Sequence, residues 1–428
     1  MKTPMMTDPT RDLQQKLKAA WAKLPPAEKA KLEPMILAAH NYAVALRKDP
    51  RTPHPKRGVP DELMLVHSLL NDDPDGLLAT AEPSGQYSVN PEGGILGFGQ
   101  YEVFDVRWAY TLLAYADTLF SEPSFNTSPQ TITIPDTTTI ALLGDWGGGN
   151  SAAAAVAAAA AALSPGYTVH LGDVYYAGTE SSLLLEPYEQ DNFLSQWRGG
   201  AGTSFALNSN HDMYAHATGY FGQTLAAGSP FSAQQGCSYF ALQNSSFVIA
   251  GLDTAYSATD FYLDGALTAP QTTFLQNLDL TGPNNTTKTL ILLTHHNGLA
   301  FDGSSQEALW SQVISALPAA AAGNLFWYWG HVHAGAVYTP VPLTSGPTVQ
   351  SRCIGHGCMP SGVATALAVD TVAWYESNVV GPASDYFVQN GFAVLSLAGG
   401  SLTETIYGQD GTSHWSQTWT APTARNSA

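Results

Sequence analysis

From about residue 131 onward, short apolar runs repeatedly end at small polar clusters, and this pattern constrains the fold more than any other feature. The β-branched run from Thr131 to Leu143 leads into a glycine-rich turn, an alanine-rich segment predicts a helix, and the next run, Tyr167 to Leu171, ends at Gly-Asp. Strand, turn, helix and strand in this order are typical of an α/β sheet. Functional residues in such sheets follow the carboxyl ends of the strands, so we expect a site along that edge.

Five of these clusters carry residue types that hold hard metal ions. They are 144–147 (GDWG), 172–176 (GDVYY), 210–212 (NHD), 294–296 (THH) and 330–333 (GHVH). Carboxylate, amide, phenolate and imidazole donors suit a di- or trivalent cation, and one carboxylate can bridge two cations. His331 and His333 would point to opposite faces of a regular strand, so both serve one site only where the chain turns. Gly330 favours such a turn.

The charge distribution makes a metal the obvious source of positive charge at this site. The chain has 17 Lys+Arg and 35 Asp+Glu, for a net charge of −18. Twelve of the 17 basic residues lie in the first 57 positions, which leaves five for the other 371. Nucleic acids and anionic membranes need basic surfaces that displace counterions, so we expect neither as a partner.

The order of the five clusters resembles the calcineurin-like metallophosphoesterase superfamily, and within it the purple acid phosphatase-like branch. In the commonest superfamily pattern the first motif is Asp-x-His, but here Gly147 stands at the histidine position. The purple acid phosphatase pattern supplies the missing donor as Gly-Asp-x-x-Tyr, and Tyr176 has that spacing. The resemblance covers roughly residues 136–410. It implies an α/β fold in which a β-sandwich is flanked by helices (αββα).

The resemblance also implies two metal ions. The first would be held by Asp145, Asp173, Tyr176 and His333, and the second by Asp173, Asn210, His295 and His331. A phenolate ligand favours Fe(III) at the first position, and the second would take Fe(II), Zn(II) or Mn(II). Because His296 follows His295 where the family more often has a small residue, either histidine is a possible ligand. We assign His295 and expect His296 to support the site or contact the substrate.

The reaction that the resemblance implies is hydrolysis of a small phosphomonoester. A hydroxide on the metals would attack phosphorus in line with the leaving group. His211 is not a ligand in this family and would donate to a phosphoryl oxygen or protonate the leaving group, with Asp212 orienting its ring. Two alternatives stay open: a phosphodiesterase of the same superfamily, and a non-catalytic scaffold that binds metal.

Four residues are candidate substrate contacts, namely His216, His296, Arg352 and His356. His216 shares a segment with His211, and Arg352 is one of few basic residues outside the N-terminal region. An ordinary ion pair is an equally good interpretation of Arg352. Cys353, His356 and Cys358 lie too close in sequence to complete a tetrahedral metal site easily, so we interpret the cysteines as free thiols.

Three regions are predicted along the chain. Residues 1–130 form a mostly helical N-terminal extension in which 8–48 are a helical hairpin, residues 131–414 form the catalytic domain, and residues 415–428 are a tail. We expect the basic hairpin to dock onto the acidic body or a partner subunit. With no apolar leader and no disulfide framework, a cytoplasmic location is expected, and the oligomeric state is left open.

Overall fold

The computed structural model describes residues 9–55, 59–73, 76–78, 88–200, 202–321, 323–344, 346–380 and 387–420. Its α-helices are α1 (Pro9–Lys23), α2 (Pro26–Lys48), α3 (Val66–Leu70), α4 (Tyr110–Thr118), α5 (Ser151–Ala162), α6 (Asn210–Met213), α7 (Ala269–Gln276) and α8 (Ala308–Ser315). The two helices predicted over residues 8–48 are α1 and α2, but α1 packs mainly on α4 and α3, and α2 on α3, rather than against each other as a hairpin would. None of the helices in these ranges combines the length and the apolar character that a membrane crossing requires.

The strands form two sheets, so the predicted α/β class is confirmed. In chain order, the first seven strands are β1 (Gln130–Thr133), β2 (Thr137–Leu143), β3 (Tyr167–His170), β4 (Ser204–Ala206), β5 (Phe240–Gln243), β6 (Phe247–Gly251) and β7 (Thr289–Leu293). The others are β8 (Asn324–Trp329), β9 (Gly335–Tyr338), β10 (Val341–Pro342), β11 (Thr348–Ile354), β12 (Val372–Tyr375), β13 (Gly391–Ala398), β14 (Ser401–Gly408) and β15 (Ser413–Thr420).

Each sheet contains neighbouring parallel strands, which lie at the centre of the larger sheet and at one end of the smaller one. The nine-stranded sheet has the order β1-β5-β6-β7-β8-β11-β9-β12, with β10 beside β11. Within it β6, β7, β8 and β11 run parallel. The six-stranded sheet has the order β15-β14-β13-β2-β3-β4, and β2, β3 and β4 are parallel. Two sets of parallel carboxyl ends are therefore available to build a site.

Alternating side chains explain how the sheets are buried. In β2, Ile140 and Leu142 join a cluster that also contains residues of the other sheet, such as Ile291 of β7. The intervening Ala141 and Leu143 join a different cluster with the alanines of α5. Successive side chains of a strand point to opposite faces, so β2 is buried on both. Asn150 is the N-cap of α5, because its side chain accepts a hydrogen bond from the Ala153 N–H.

The N-terminal extension packs on the rest of the chain through apolar contacts. Leu17 of α1, Leu32 of α2 and Leu113 of α4 belong to the same buried cluster as Tyr175 and Met213. The exposed Lys18–Asp72 ion pair lies within the extension itself, at 2.5 Å. The extension as a whole thus contacts the body through apolar packing, whereas the ion pairs of Lys16, Lys18 and Lys31 stay within the extension.

The C-terminal boundary differs from the expected one. Residues 415–420, predicted to belong to a tail, are part of β15, which pairs antiparallel with β14. The remainder of that predicted tail, 421–428, lies outside the described residues. The sequence did not predict this strand because β15 is an edge strand of mostly polar residues. Such a pattern alone is difficult to distinguish from a tail.

Candidate metal centre

The five polar clusters follow strands whose carboxyl ends meet. Asp145, Asp173 and Asn210 come after β2, β3 and β4 of the six-stranded sheet. His295 and His331 come after β7 and β8, which are parallel neighbours in the nine-stranded sheet. The predicted edge is therefore real, and both sheets contribute to it.

Asp145, Asp173 and His333 lie close together, with one ligand atom of each within 4.8 Å of the others. Both carboxylates are fully buried, and Asp145 Oδ2 and Asp173 Oδ1 have no hydrogen-bond partner among the described residues. Gly330 and Gly355 allow the close packing here, because a Cβ on either would lie 2.6 or 2.4 Å from an oxygen of Asp145. Unpartnered buried carboxylate oxygens that converge in this way fit a cation.

Asn210, His295 and His331 converge beside this group. The side-chain oxygen of Asn210 lies 2.7 Å from His295 Nε2 and 3.2 Å from His331 Nδ1. His295 Nε2 is also 3.3 Å from Asp173 Oδ1, so Asp173 is shared by the two groups. The chain turns at His331, whose φ is 66°, and both His331 and His333 consequently reach the site. Asp173 therefore lies between the two groups.

The structure separates the roles of the two adjacent histidines. The other ring nitrogen of His295, Nδ1, lies 2.9 Å from the Leu171 carbonyl, which leaves Nε2 for the site. Both nitrogens of His296 are engaged elsewhere, Nδ1 with Thr254 Oγ1 at 2.9 Å and Nε2 with the Tyr262 carbonyl at 2.8 Å. His295 therefore directs Nε2 at Asn210 and Asp173, whereas both ring nitrogens of His296 contact residues outside this group.

The pKa shifts in this group fit a cation-binding site. Burial, together with the charge of Asp173, raises the pKa of Asp145 well above its usual range. Burial acts upward on the pKa of Asp173 too, but the surrounding histidines, led by His295, lower it. Burial lowers the pKa values of His295, His331 and His333. Burial therefore favours the neutral form of these histidines, which is the form that binds metal ions.

Tyr175, and not Tyr176, has its hydroxyl at the centre of the site. The Tyr175 hydroxyl donates a hydrogen bond to Asp173 Oδ2 at 2.8 Å and lies 3.0 Å from His333 Nε2. The Tyr176 hydroxyl instead donates to Asp105 Oδ2 at 2.5 Å. The motif spacing had assigned the donor to Tyr176, and two adjacent tyrosines in the sequence gave no means of telling which side chain turns inward.

Asp105 belongs to a polar network that the N-terminal extension places against the site. It receives the Tyr176 hydrogen bond and pairs with Arg107 Nε at 2.8 Å. The hydroxyl of Tyr101 donates to the Gly148 carbonyl, close to the first polar cluster, at 2.6 Å. Trp108 packs edge-on against Tyr176 with ring centroids 5.1 Å apart. Nothing in the sequence connected these residues to the site.

His211 is buried beside the group and is held by two acceptors. Its Nδ1 lies 2.7 Å from the Tyr176 carbonyl, and its Nε2 lies 3.3 Å from Oε1 of Glu62. Burial lowers the pKa of His211, but the charges of Asp173 and Glu62 outweigh burial and raise it. Asp212, expected to orient the ring, instead accepts a hydrogen bond from the Ser209 hydroxyl at 2.6 Å.

The remaining substrate candidates lie in other surroundings. His216 contacts α4, with Nδ1 2.9 Å from Thr118 Oγ1 and its ring against Tyr115. Arg352 is buried in an ion pair with Glu404, at 2.9 Å between Nε and Oε1. His356 is buried, and neither ring nitrogen has a hydrogen-bond partner among the described residues. The structure does not bring these three side chains into contact with the metal-site residues.

No protein-family model and no curated protein matches the sequence. Among solved structures, GAP50, "the anchor in the inner membrane complex of Plasmodium", is similar at 11% identity and a TM-score of 0.43 over 68% of this chain and 90% of that one. A predicted phosphoesterase of Streptococcus pneumoniae TIGR4 has 11% identity and a TM-score of 0.27, covering 66% and 98%. Vps29 of Chaetomium thermophilum has 12% identity and a TM-score of 0.27, covering 68% and 100%. Similarity this low says nothing about activity.

Proposed function

We propose that the protein is a metallophosphoesterase with the αββα sandwich of the calcineurin-like superfamily, hydrolysing small phosphomonoesters at a dinuclear metal centre. The proposal rests on the convergence of donors from both sheets, of which the first four are buried and the last two half-buried: Asp145, Asp173, Asn210, His295, His331 and His333. Two of their carboxylate oxygens have no hydrogen-bond partner among the described residues. Carboxylate, amide and imidazole together are a donor set for hard or borderline cations.

The residues divide naturally into two sets around Asp173. Asp145 and His333 would complete one set, with the Tyr175 hydroxyl beside them. The other would consist of the Asn210 amide oxygen with His295 and His331. We propose Fe(III) for the set with the tyrosine and Fe(II), Zn(II) or Mn(II) for the other. Bound cations would neutralise phosphoryl charge and acidify a water.

His211 is the proposed group that touches substrate without binding metal. It directly follows the proposed ligand Asn210 in the chain. Its Nδ1 contacts the Tyr176 carbonyl, whereas its Nε2 faces Glu62. From that position it would donate a hydrogen bond to a phosphoryl oxygen or a proton to the leaving-group oxygen. The purple acid phosphatase-like branch, proposed from the sequence, needs an inward tyrosine, and Tyr175 would take that role.

The proposed substrate is small, and nucleic acid and membranes are not proposed as partners because of the charge of −18. Three buried cysteines without disulfides support the proposed cytoplasmic location.

The test combines metal analysis with turnover. Protein purified without chelator is expected to contain close to two metal ions per chain and to hydrolyse p-nitrophenyl phosphate faster than its bis-ester. Asp173→Asn should lose metal and at least about 100-fold in kcat, because it removes the shared carboxylate. The matched control is Asp370→Asn, a change at an exposed aspartate, which should alter neither.

Three results would contradict the proposal in different ways. Faster hydrolysis of the bis-ester would favour the phosphodiesterase alternative. Metal without turnover of any phosphoester would favour a binding scaffold. Full activity in metal-free protein would rule out the metal centre itself.

A further inference from the structure

Glu62 is a buried acid whose burial has no explanation in the N-terminal extension alone. It lies in the short 3-10 turn Asp61–Leu63, and only 9% of it is exposed. Its Oε1 is 3.3 Å from His211 Nε2, whereas Oε2 is buried with no hydrogen-bond partner among the described residues. Glutamate is almost never buried unless it is paired, and the structure places this one against His211, with the Tyr214 side chain as a second partner.

The His211 ring is fixed from two directions by different parts of the chain. Its Nδ1 is held at 2.7 Å by the Tyr176 carbonyl, which belongs to the body. Its Nε2 faces Glu62, which belongs to the extension. The rings of Tyr175 and Tyr214 flank it with centroids 4.5 and 5.0 Å away, both edge-on. Glu62 is therefore the second polar anchor of this ring.

The contact is loose enough to be shared. A charge-assisted N–H···O bond is about 2.7–2.9 Å long, and the distance of 3.3 Å between His211 and Glu62 is longer than that. A substrate oxygen that approaches Nε2 can thus share its hydrogen atom without first breaking a short bond. An acceptor at this distance holds the ring in place and leaves its donor available.

The turn that carries Glu62 is itself held firmly. Leu63 and Met64, which directly follow Glu62 in the chain, are buried in the apolar cluster that also contains Tyr175. Asp105 and Tyr101 of the extension make hydrogen bonds to Tyr176 and Gly148 of the body. These contacts fix the extension against the site, so the carboxylate of Glu62 occupies a defined position.

We infer that Glu62 is a positioning residue for His211, supplied to the site by the N-terminal extension. The inference rests on the proposed function, since it concerns the same reaction. Its consequence is that the extension completes the catalytic machinery and does more than cover it. Glu62 acts on turnover only through His211, and it has no part in binding metal.

The experiment is a double-mutant cycle in the full-length, metal-loaded protein with p-nitrophenyl phosphate. Glu62→Ala is expected to lower kcat by about 10- to 100-fold, the usual effect of removing a group that orients a functional histidine. KM and metal content should stay within about twofold by the same reasoning. Glu62→Gln keeps an acceptor oxygen and should recover most of the loss. In a His211→Ala background, Glu62→Ala should have no further effect.

The control is Asp61→Ala, in the same turn, where the aspartate is exposed and contacts His54. It should leave kcat unchanged. An equal loss from Glu62→Ala in both backgrounds would overturn the inference, because the effect would then be structural, and so would an unchanged kcat in the single variant.

A second cycle separates this inference from the proposed function. The same four proteins are unfolded in urea, which needs no turnover. Non-additive changes in stability support the contact between Glu62 and His211, and strictly additive changes overturn it. Absence of phosphoester hydrolysis in the wild type contradicts the proposed function. The unfolding cycle still measures the coupling between Glu62 and His211 in that case.

Discussion

Replacing Arg352 tests whether this arginine holds the structure together or binds substrate. Its guanidinium bridges the two sheets, since Arg352 is in β11 and Glu404 is in β14. Two parallel contacts join the pair, Nε to Oε1 at 2.9 Å and Nη2 to Oε2 at 3.0 Å. Each side chain is 2% exposed, so neither charge has access to water. The guanidinium carbon also lies 5.3 Å from the ring centroid of Trp415.

The expected loss of stability differs between the two partners. Breaking a buried pair from one side costs about 3–5 kcal/mol. After Arg352→Met, Glu404 keeps hydrogen bonds from the Tyr328 hydroxyl and the Trp419 indole, both at 2.5 Å, so the cost should be at the low end, about 3 kcal/mol. After Glu404→Met, the guanidinium and both of these donors lose their acceptor. That cost should reach about 5 kcal/mol or more.

The assay is urea unfolding of both variants, followed by far-UV circular dichroism at 25 °C, with KM for p-nitrophenyl phosphate measured on the folded proteins. We expect Glu404→Met to be the less stable variant by about 2 kcal/mol. We also expect KM to be unchanged in whichever variants fold. Wild-type stability of Arg352→Met together with a KM raised tenfold or more would refute this reasoning and return Arg352 to the substrate site.

Three further outcomes are expected. Tyr175→Phe should abolish any visible charge-transfer band in the absorption spectrum of iron-containing protein, while Tyr176→Phe should retain it. The reason is that only the Tyr175 hydroxyl contacts Asp173. The reverse result would support Tyr176, the tyrosine assigned from the motif spacing. Removal of metal should destabilise the protein, and Asp145→Asn should reduce this loss in thermal unfolding, since it relieves repulsion between two buried carboxylates. Burial lowers the pKa of His170 to about 3, so the unfolded state binds the extra proton and stability falls as pH drops from about 6.5 toward 3. His170→Phe should make this fall shallower by up to about 1.4 kcal/mol per pH unit, and an unchanged pH slope in urea unfolding would contradict the shift.

The sequence predicted those parts of the site that depend on local order. Asp145, Asp173 and Asn210 each follow a parallel strand, and the geometry of a sheet brings the carboxyl ends of such strands together. His295 was separable from His296 only by their hydrogen bonds to Leu171 and Tyr262, which no local pattern encodes. Alternation and spacing give faces and edges, but they do not give the direction of a side chain within a loop.

Tyr175 illustrates the limit most clearly. The Gly-Asp-x-x-Tyr spacing selects Tyr176, and the choice depends on how the loop after β3 is packed. In the structure Tyr176 has a buried acceptor in Asp105, a residue 71 positions earlier in the chain. That contact satisfies one tyrosine outside the metal group and leaves the other facing Asp173. A distant carboxylate thus helps to decide which of two adjacent tyrosines faces the site.

The same argument applies to the N-terminal extension as a whole. Motifs place it outside the catalytic unit, because its own sequence contains none of the five clusters. Yet Asp105 binds Tyr176, Glu62 contacts His211, and Leu113 shares a buried cluster with Tyr175. The first two contacts link residues far apart in sequence, and each acts on a neighbour of a proposed donor. A motif identifies the candidate donors of a metal centre, whereas the groups that contact them and their neighbours are free to come from any segment that folds against it, and here some of them come from the segment without motifs.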